Sequence, residues 1–217
     1  MPNIYPSLIA GKSVQDLKQD IILLEPYCAG FHLDVMDHKF VPNDAFSSNE
    51  INQIRQCCNK QLFVHLMVKN DIRWLNSLKL KKNDICAFHI ESCPDPTELI
   101  EIIHNYGLLA ALTINPKTPI EIAFNFTTLI DQILIMSVEP GKSGQEFIPE
   151  TIQKVEKLIQ FKKSNNLKFE LSIDGGINEN NIAELKSMGV NNFAISSAIF
   201  KGDPLNNLKQ LNTLIGP

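Results

Sequence analysis

Two histidines and two aspartates lie in apolar segments that could bring them to one metal ion. His32 and Asp34 are separated by one residue, so they share a face of any β-strand that contains both. His65 lies in a second apolar segment, and Asp174 ends a third. An aspartate buried on the inner face of an apolar strand is unfavourable unless a cation or a hydrogen bond meets it. The four side chains together therefore predict a divalent metal site.

The ligand atoms of this predicted site limit which metals can bind but do not identify one. Two neutral imidazole nitrogens and two carboxylate oxygens suit one ion of zinc, iron(II), manganese or cobalt. A lone histidine is more often structural. That interpretation is given to His104, which lies in a predicted helix, whereas His38 and His89 are left unassigned.

A second group of small and polar residues suits a phosphate group. Glycine-rich or serine-rich turns follow the sixth, seventh and eighth predicted strands, where backbone N–H groups and helix N-termini can approach an anion. The chain has only two arginines, Arg55 and Arg73, which favours backbone amides as the partners of the anion. The residues predicted to line the phosphate are Gly141, Lys142, Ser143, Gly144, Gly175, Gly176, Ser196 and Ser197.

Eight β-like apolar segments alternate with eight segments of helical periodicity along the chain. The predicted strands are residues 4–9, 31–36, 62–67, 85–90, 108–114, 132–138, 169–174 and 192–196. The predicted helices are residues 14–25, 49–59, 71–80, 96–105, 119–124, 149–163, 179–188 and 204–214. Ser13 ahead of Asp16 has the pattern of a capping box. Pro149 and Pro204 suit first helical positions, and Gly189 suits a left-handed cap.

The number and spacing of these units predict an α/β barrel. Eight units in 217 residues average about 27 residues each, near the lower limit for an eight-stranded barrel. An open, doubly wound α/β sheet also alternates strands and helices, but the even spacing favours a single (β/α)8 TIM barrel. No linker or change of composition interrupts the chain, so residues 1–217 are predicted to form one domain. Ligands of such barrels bind at the carboxyl ends of the strands, where the metal and phosphate candidates fall.

The composition excludes several classes of protein. The chain is 44% hydrophobic and 20% charged with a net charge of −4, which argues against a nucleic-acid or anionic-membrane surface. No apolar run approaches the roughly 20 residues that span a bilayer. The five cysteines are odd in number and show no C-x-x-C spacing, as is typical of reduced thiols. We therefore expect a cytoplasmic protein that acts on a small molecule, with a homo-oligomer left open.

The metal and phosphate candidates together favour one class of reaction. Carboxylates beside a metal ion can remove a proton next to a carbonyl, and the ion stabilises the enediolate that results. Hydrolysis by a metal-bound water is the competing use of such a site. Because Asp34 and Asp174 come from the second and seventh strands, they could act on opposite faces of a substrate. This favours an epimerisation.

Several longer motifs resemble those of ribulose-phosphate 3-epimerases. They are HLDVMD at 32–37, FVPN at 40–43, VHLMV at 64–68, FHIE at 88–91, NPKTP at 115–119, MSVEPG at 136–141, DGGI at 174–177 and SAIF at 197–200. The similarity extends in order from Ser7 to Phe200. It implies a ribulose-phosphate-binding (β/α)8 barrel that interconverts D-ribulose 5-phosphate and D-xylulose 5-phosphate, a reaction of the pentose phosphate pathway.

The resemblance also implies roles for individual residues. It assigns the metal to His32, Asp34, His65 and Asp174, the four residues that the strand ends already suggest. By the same resemblance, Asp34 takes the proton from carbon 3 and Asp174 returns one to the other face. Ser7 and His65 would contact the substrate.

The sequence departs from the family pattern around the predicted barrel mouth. His38 and Ser143 stand where glycine is usual, as does Ser196, and Lys142 replaces a bulky apolar residue. A non-glycine residue would be strained wherever the fold needs a positive φ. Two alternatives stay open: the same chemistry on a 6-phosphohexulose such as D-allulose 6-phosphate, and a non-catalytic barrel that binds a sugar phosphate.

Overall fold

Strands and helices alternate throughout the computed structural model, which describes residues 3–9, 11–69 and 71–216. The strands are β1 (Asn3–Pro6), β2 (Gly30–Met36), β3 (Gln61–Met67), β4 (Ile85–His89), β5 (Leu109–Ile114), β6 (Gln132–Met136), β7 (Glu170–Asp174) and β8 (Asn192–Ile195). The α-helices are α1 (Val14–Leu24), α2 (Ser48–Cys57), α3 (Asp71–Ser77), α4 (Pro96–Asn105), α5 (Thr151–Ser164), α6 (Ile182–Met188), α7 (Ser197–Phe200) and α8 (Pro204–Ile215). Two 3-10 helices cover Glu25–Tyr27 and Ile120–Phe126.

The eight strands are parallel and form a barrel. Each strand from β2 to β7 pairs with the strand that follows it in sequence, and β8 pairs with β1. Strands β1 and β2 are joined by a bridge between Ser7 and His32 and by two backbone hydrogen bonds. The Leu8 N–H donates to the His32 carbonyl at 3.0 Å, and the Ala29 N–H donates to the Ile4 carbonyl at 3.1 Å. The predicted (β/α)8 barrel is therefore confirmed, and the open sheet is excluded.

Side-chain alternation along the strands divides the apolar core into two parts. The larger part lies between the sheet and the helices and includes Leu33 and Val35 of β2. The smaller part fills the barrel interior; its buried members are Tyr5, Phe63, Ile85, Ala87, Ala111 and Leu134. Because side chains two residues apart share a face, His32 and Asp34 point into the interior. The ring of His32 lies edge-on to Phe63, at 5.2 Å between centroids.

The predicted helix signals are mostly confirmed. Ser13 Oγ accepts a hydrogen bond from the Asp16 N–H at 3.1 Å at the start of α1, which is one of the two bonds of the predicted capping box; the Asp16 carboxylate accepts from the Ser13 hydroxyl at 2.7 Å. Gly189 caps α6 in the left-handed conformation, with φ of 112°. Pro204 is the first residue of α8. The prediction for Pro149 is wrong, because three consecutive i→i+3 hydrogen bonds span residues 148–153 and α5 begins at Thr151, two residues after the proline.

Other differences concern the ends and types of elements. Strand β1 ends at Pro6 and does not reach Ile9, because only Ser7 continues the pairing as an isolated bridge. The predicted helix 119–124 is the 3-10 helix Ile120–Phe126. Helix α7 was not predicted, since four residues are too few for a helical periodicity to show. Within residues 3–9, 11–69 and 71–216, no helix is long and apolar enough to cross a membrane.

Candidate active site and metal centre

Four side chains from three strands converge at the carboxyl end of the barrel. Strand β2 carries His32 and Asp34, β3 carries His65, and β7 ends in Asp174. Each residue offers one nitrogen or oxygen, and these four atoms all lie within 4.8 Å of one another. His65 Nδ1 lies 3.2 Å from Asp34 Oδ1 and 3.5 Å from Asp174 Oδ2. The fold thus brings together all four residues that were predicted to bind a metal.

His32 provides the test of whether these residues fit a cation. Its side chain is fully buried, and Nδ1 lies 3.1 Å from Ser7 Oγ. Nε2 has no hydrogen-bond partner among the residues that the structure describes, and Asp174 Oδ2 is 3.9 Å away. A buried polar nitrogen without a partner is uncommon. If Nδ1–H donates to Ser7, the lone pair of Nε2 is directed at the cluster and is available to a divalent cation.

The electrostatics of the cluster favour positive charge between the two aspartates. Burial lowers the pKa of His32, although Asp34 and Asp174 act in the opposite direction. For His65, burial also acts to lower the pKa, but hydrogen bonds to Asp174 and Asp34 outweigh it and raise the pKa to about 9. Burial acts to raise the pKa of Asp34, yet His32 and His65 outweigh it and the pKa is lowered. Either a proton or a cation can supply this charge, and the site is therefore compatible with a divalent metal.

A cavity of about 540 Å³ opens above the cluster. The side chains of Asp34 and Asp174 are 26% and 16% exposed and form part of its wall, while His32 and His65 are fully buried beneath them. The predicted substrate-binding residues that line the same cavity are Ser7, Gly141, Lys142, Ser143, Gly144, Gly175, Gly176, Ser196 and Ser197. One pocket therefore joins the metal candidates to the glycine-rich turns.

The turn after β7 is built around two glycines. Gly175 has φ of 115°, and a Cβ there would lie 2.5 Å from Val138 Cγ2. Gly176 has φ of 64°, and a Cβ there would lie 2.4 Å from the Phe147 nitrogen. The Ser137 hydroxyl lies 2.9 Å from the carbonyl oxygen of Asp174, to which it donates. These contacts hold the backbone of Asp174 against the loop that follows β6.

The residues that replace glycine in the family pattern differ in whether their backbone adopts a positive φ. His38 has φ of 56°, and its ring is held by the Pro42 carbonyl at 3.1 Å and by Asp44 Oδ2 at 2.8 Å. Ser143 and Ser196 do not have positive φ. The strain expected where glycine is replaced therefore occurs at His38 and is absent from these two serines.

His65 has a second partner that the sequence left unassigned. His89 is fully buried on β4, and its Nε2 lies 2.8 Å from His65 Nε2. His89 Nδ1 lies 3.3 Å from Glu91 Oε2, and burial lowers the pKa of His89 to about 4. The available signal was its position on the inner face of a strand that pairs with β3. By contrast, His104 lies on α4 and is paired with Asp131 at 2.8 Å, away from the cluster.

Comparisons with known proteins agree with this geometry. Residues 3–200 match the model of a family described as the ribulose-phosphate 3 epimerase family. A ribulose-phosphate 3-epimerase of Schizosaccharomyces pombe is 33% identical over 201 residues, which cover 91% of this chain and 86% of that protein. Another, from Buchnera aphidicola subsp. Baizongia pistaciae, is 39% identical over 205 residues, covering 91% and 88%.

The similarity to solved structures extends to more distant barrels. The phosphoribosyl anthranilate isomerase from Thermococcus kodakaraensis superposes with a TM-score of 0.68 over 99% of each chain, at 12% identity. A 3-hexulose-6-phosphate synthase superposes equally well, with a TM-score of 0.68 at 13% identity over 99% of this chain and 100% of that chain. At such identities these similarities show the fold alone.

Proposed function

The chain belongs to the ribulose-phosphate 3-epimerase family, and on that basis we propose that it interconverts D-ribulose 5-phosphate and D-xylulose 5-phosphate. The observation that carries this proposal is the pair of carboxylates, Asp34 and Asp174, at one cavity. Their strands, β2 and β7, are separated by β1 and β8 around the barrel, so the two acids approach the pocket from different directions. A barrel that only binds a sugar phosphate needs no such pair.

Inversion at carbon 3 requires that one proton leave and another arrive on the opposite face. Asp34, whose pKa is lowered by His32 and His65 against the effect of burial, is ionised and acts as the base. It takes the proton from carbon 3, and the electron pair of the broken C–H bond forms a double bond to carbon 2. The carbonyl oxygen on carbon 2 becomes an enediolate oxygen.

The second half of the reaction reverses these changes on the other face. Asp174, as the carboxylic acid, donates a proton to carbon 3 while the carbonyl at carbon 2 re-forms. One proton has been taken and one given, so the product is the epimer of the substrate. Proton exchange with water returns the two carboxyl groups to their starting states.

The chain's own residues suggest how the site is held ready. His32, Asp34, His65 and Asp174 would bind a divalent cation, which when bound would stabilise negative charge on substrate oxygens. Zinc, iron(II), manganese and cobalt all suit these donors. Ser7 Oγ can accept a hydrogen bond from His32 Nδ1–H, which would leave Nε2 for the cation, and Ser7 borders the cavity beside Asp34.

The proposed phosphate site lies at the other side of the same cavity. Backbone N–H groups in the turns at Gly175–Gly176 and Ser196–Ser197 would bind the phosphate, and Gly141 and Gly144 would shape the loop facing it. Lys142 borders the cavity and adds a cation that can approach the phosphate. Ser7 is proposed to contact the sugar from the wall of the cavity. His65 lies buried beneath the carboxylates and outside the lining of the cavity, so the role proposed for it is to hold the cation.

A proton NMR time course in heavy water tests the proposal. Zinc-loaded protein is mixed with D-ribulose 5-phosphate and, in a separate sample, with D-allulose 6-phosphate. Deuterium should enter carbon 3 of the pentulose as D-xylulose 5-phosphate forms. Faster exchange with the hexulose would move the assignment to a hexulose-phosphate epimerase. No exchange with either sugar, in protein shown to contain zinc, would overturn the proposal in favour of a non-catalytic barrel.

A further inference from the structure

We propose that His89 and Glu91 form a hydrogen-bonded chain that fixes the tautomer of His65 and so keeps its Nδ1 available to the cation. This inference rests on the metal site of the proposed function and assigns two positioning residues to it. The chain runs away from the cavity, from His65 on β3 through His89 on β4 to Glu91 in the following turn.

The geometry at His65 sets the first hydrogen bond. Nδ1 faces Asp34 and Asp174, at 3.2 and 3.5 Å, while Nε2 lies 2.8 Å from His89 Nε2 on the opposite side of the ring. A neutral imidazole carries one N–H and one lone pair. If Nδ1 gives its lone pair to a cation, Nε2 must carry the proton and donate it to His89. His89 Nε2 must then be the acceptor, which leaves its own proton on Nδ1.

Glu91 fixes the other end of the chain. Its Oε2 lies 3.3 Å from His89 Nδ1, and its Oε1 accepts a hydrogen bond from the Asn115 backbone N–H at 2.9 Å. Burial acts to raise the pKa of Glu91, but hydrogen bonds from His89, Thr118 and Asn115 outweigh it and lower the pKa. An ionised carboxylate can only accept, and a backbone N–H can only donate. Each proton of the chain therefore has one favourable position.

The surroundings of the His65–His89 hydrogen bond keep water from competing for it. His89 is fully buried, with the Phe40 ring 4.7 Å from it on one side and the His65 ring 4.9 Å away. The loop that supplies the Asn115 N–H is itself held in place by Lys154, whose Nζ donates to the Asn115 carbonyl at 2.7 Å and to the Thr118 carbonyl at 2.6 Å. Between the buried rings of His65 and His89, a wrong tautomer would leave a donor facing a donor.

Zinc affinity and histidine tautomers test the proposal in the full-length protein. His89→Phe keeps an aromatic ring beside Phe40 but removes the acceptor, and it should weaken zinc binding about 10- to 100-fold. His89→Gln retains an acceptor and should recover most of that loss. Thr113→Val is the matched control, because Thr113 is buried opposite His89 on β5 and its Oγ1 has no hydrogen-bond partner among the described residues. It should bind zinc within about twofold of the wild type, since no chain contact is lost.

Glu91→Gln gives a second, nearly isosteric variant in case His89→Phe does not fold. The amide must give its oxygen to the Asn115 N–H, and its NH2 then faces His89 Nδ1. That arrangement moves the His89 proton to Nε2, against the N–H of His65. Zinc binding should weaken about tenfold, in the range measured for partners of metal ligands.

Long-range 1H–15N spectra supply the readout that a merely structural role would not change. In the zinc-loaded wild type, His65 should carry its proton on Nε2 and His89 should carry its proton on Nδ1. The proposal is overturned if His89 carries its proton on Nε2, or if Glu91→Gln binds zinc as tightly as the wild type. Wild-type protein that binds no zinc would overturn the metal site of the proposed function as well. Epimerase activity and zinc binding that are unchanged in the variants would overturn this inference alone.

Discussion

The two ends of the barrel both bury polar side chains, but they satisfy them differently. At the amino end, Asn192 donates to Glu170 at 2.8 Å, to Ser172 at 3.2 Å and to Gln132 at 3.3 Å. Ser172 in turn donates to Gln132 at 2.7 Å, and Asn3 donates to Asn192 at 3.0 Å. These side chains meet one another's donors and acceptors within the protein. None of the buried side-chain atoms of Gln132, Ser172 and Asn192 lacks a partner among the described residues, so this network stabilises the fold.

At the carboxyl end, the corresponding network is open. His32 Nε2 has no partner among the described residues, and Asp34 and Asp174 turn oxygens toward a cavity of about 540 Å³. A buried polar group without a partner costs about 1–3 kcal/mol. A ligand that binds to the unpaired group offsets that cost. Buried polar side chains alone therefore do not mark a site, whereas buried polar atoms without partners beside a cavity do.

The sharpest test of this contrast removes the acid/base pair. Asp34→Asn or Asp174→Asn should lower kcat by about a thousandfold or more, because each change removes a proton-transfer group and a metal ligand together. The metal-free variants should still unfold in one cooperative transition, which separates a loss of turnover from a loss of the fold. Steady-state kinetics and thermal unfolding are measured beside Glu121→Gln, an exposed carboxylate paired with Lys157. Near wild-type turnover in either variant would remove that aspartate from the mechanism.

The opposite result is expected at the amino end. Asn192→Ala should lower the free energy of unfolding by about 2 kcal/mol, because it removes the hydrogen bonds of a fully buried side chain to Gln132, Ser172 and Glu170. Zinc affinity and kcat of the folded protein should stay at wild-type values. Urea unfolding and zinc titration measure the two effects. A loss of zinc affinity here would contradict the separation of the two ends.

Asp71 has a buried carboxyl oxygen without a partner in the described part of the chain, and it lies outside the lining of the cavity at the carboxyl end of the barrel. It is the first residue of α3, its Oδ1 has no partner among the described residues, and burial raises its pKa to about 7. An aspartate in the unfolded chain titrates near pH 3.9. The contribution of Asp71 to the free energy of unfolding is therefore lost as the pH rises from about 4 to 7. Asp71→Asn should then be more stable than the wild type by about 2 kcal/mol at pH 8, with little difference near pH 4. Urea unfolding at both pH values measures this; equal stability at pH 8 would contradict it.

The smallest effect is expected at the rim of the open end. If Lys142 approaches the phosphate, Lys142→Ala should raise KM several-fold at low salt, in line with the modest energy of an exposed charge contact. The increase should shrink as salt is added, and kcat should change little. Kinetics at two salt concentrations check this, with Lys142→Arg as the variant that retains the charge. A KM that does not change at low salt would place Lys142 away from the phosphate.

Much of this architecture follows from local patterns. The alternation of apolar strands and amphipathic helices predicted the barrel, because side chains in a strand and in a helix repeat with different periods. The one-residue gap between His32 and Asp34 predicted that both face the interior. A glycine-rich turn was predicted after the seventh strand, and the positive φ angles of Gly175 and Gly176 show why no larger residue fits there.

Features that depend on pairing between distant segments were decided only by the tertiary structure. The strand register brings His89 next to His65 and Asn192 next to Gln132. These pairs are far apart in the sequence, and no periodic pattern of residues predicts them. The isolated bridge that shortens β1, and the positive φ of His38, likewise depend on neighbours far along the chain or on loop closure. The physical reason is that a side chain's type sets which bonds it can make, whereas its partners are set by the packing of the whole barrel.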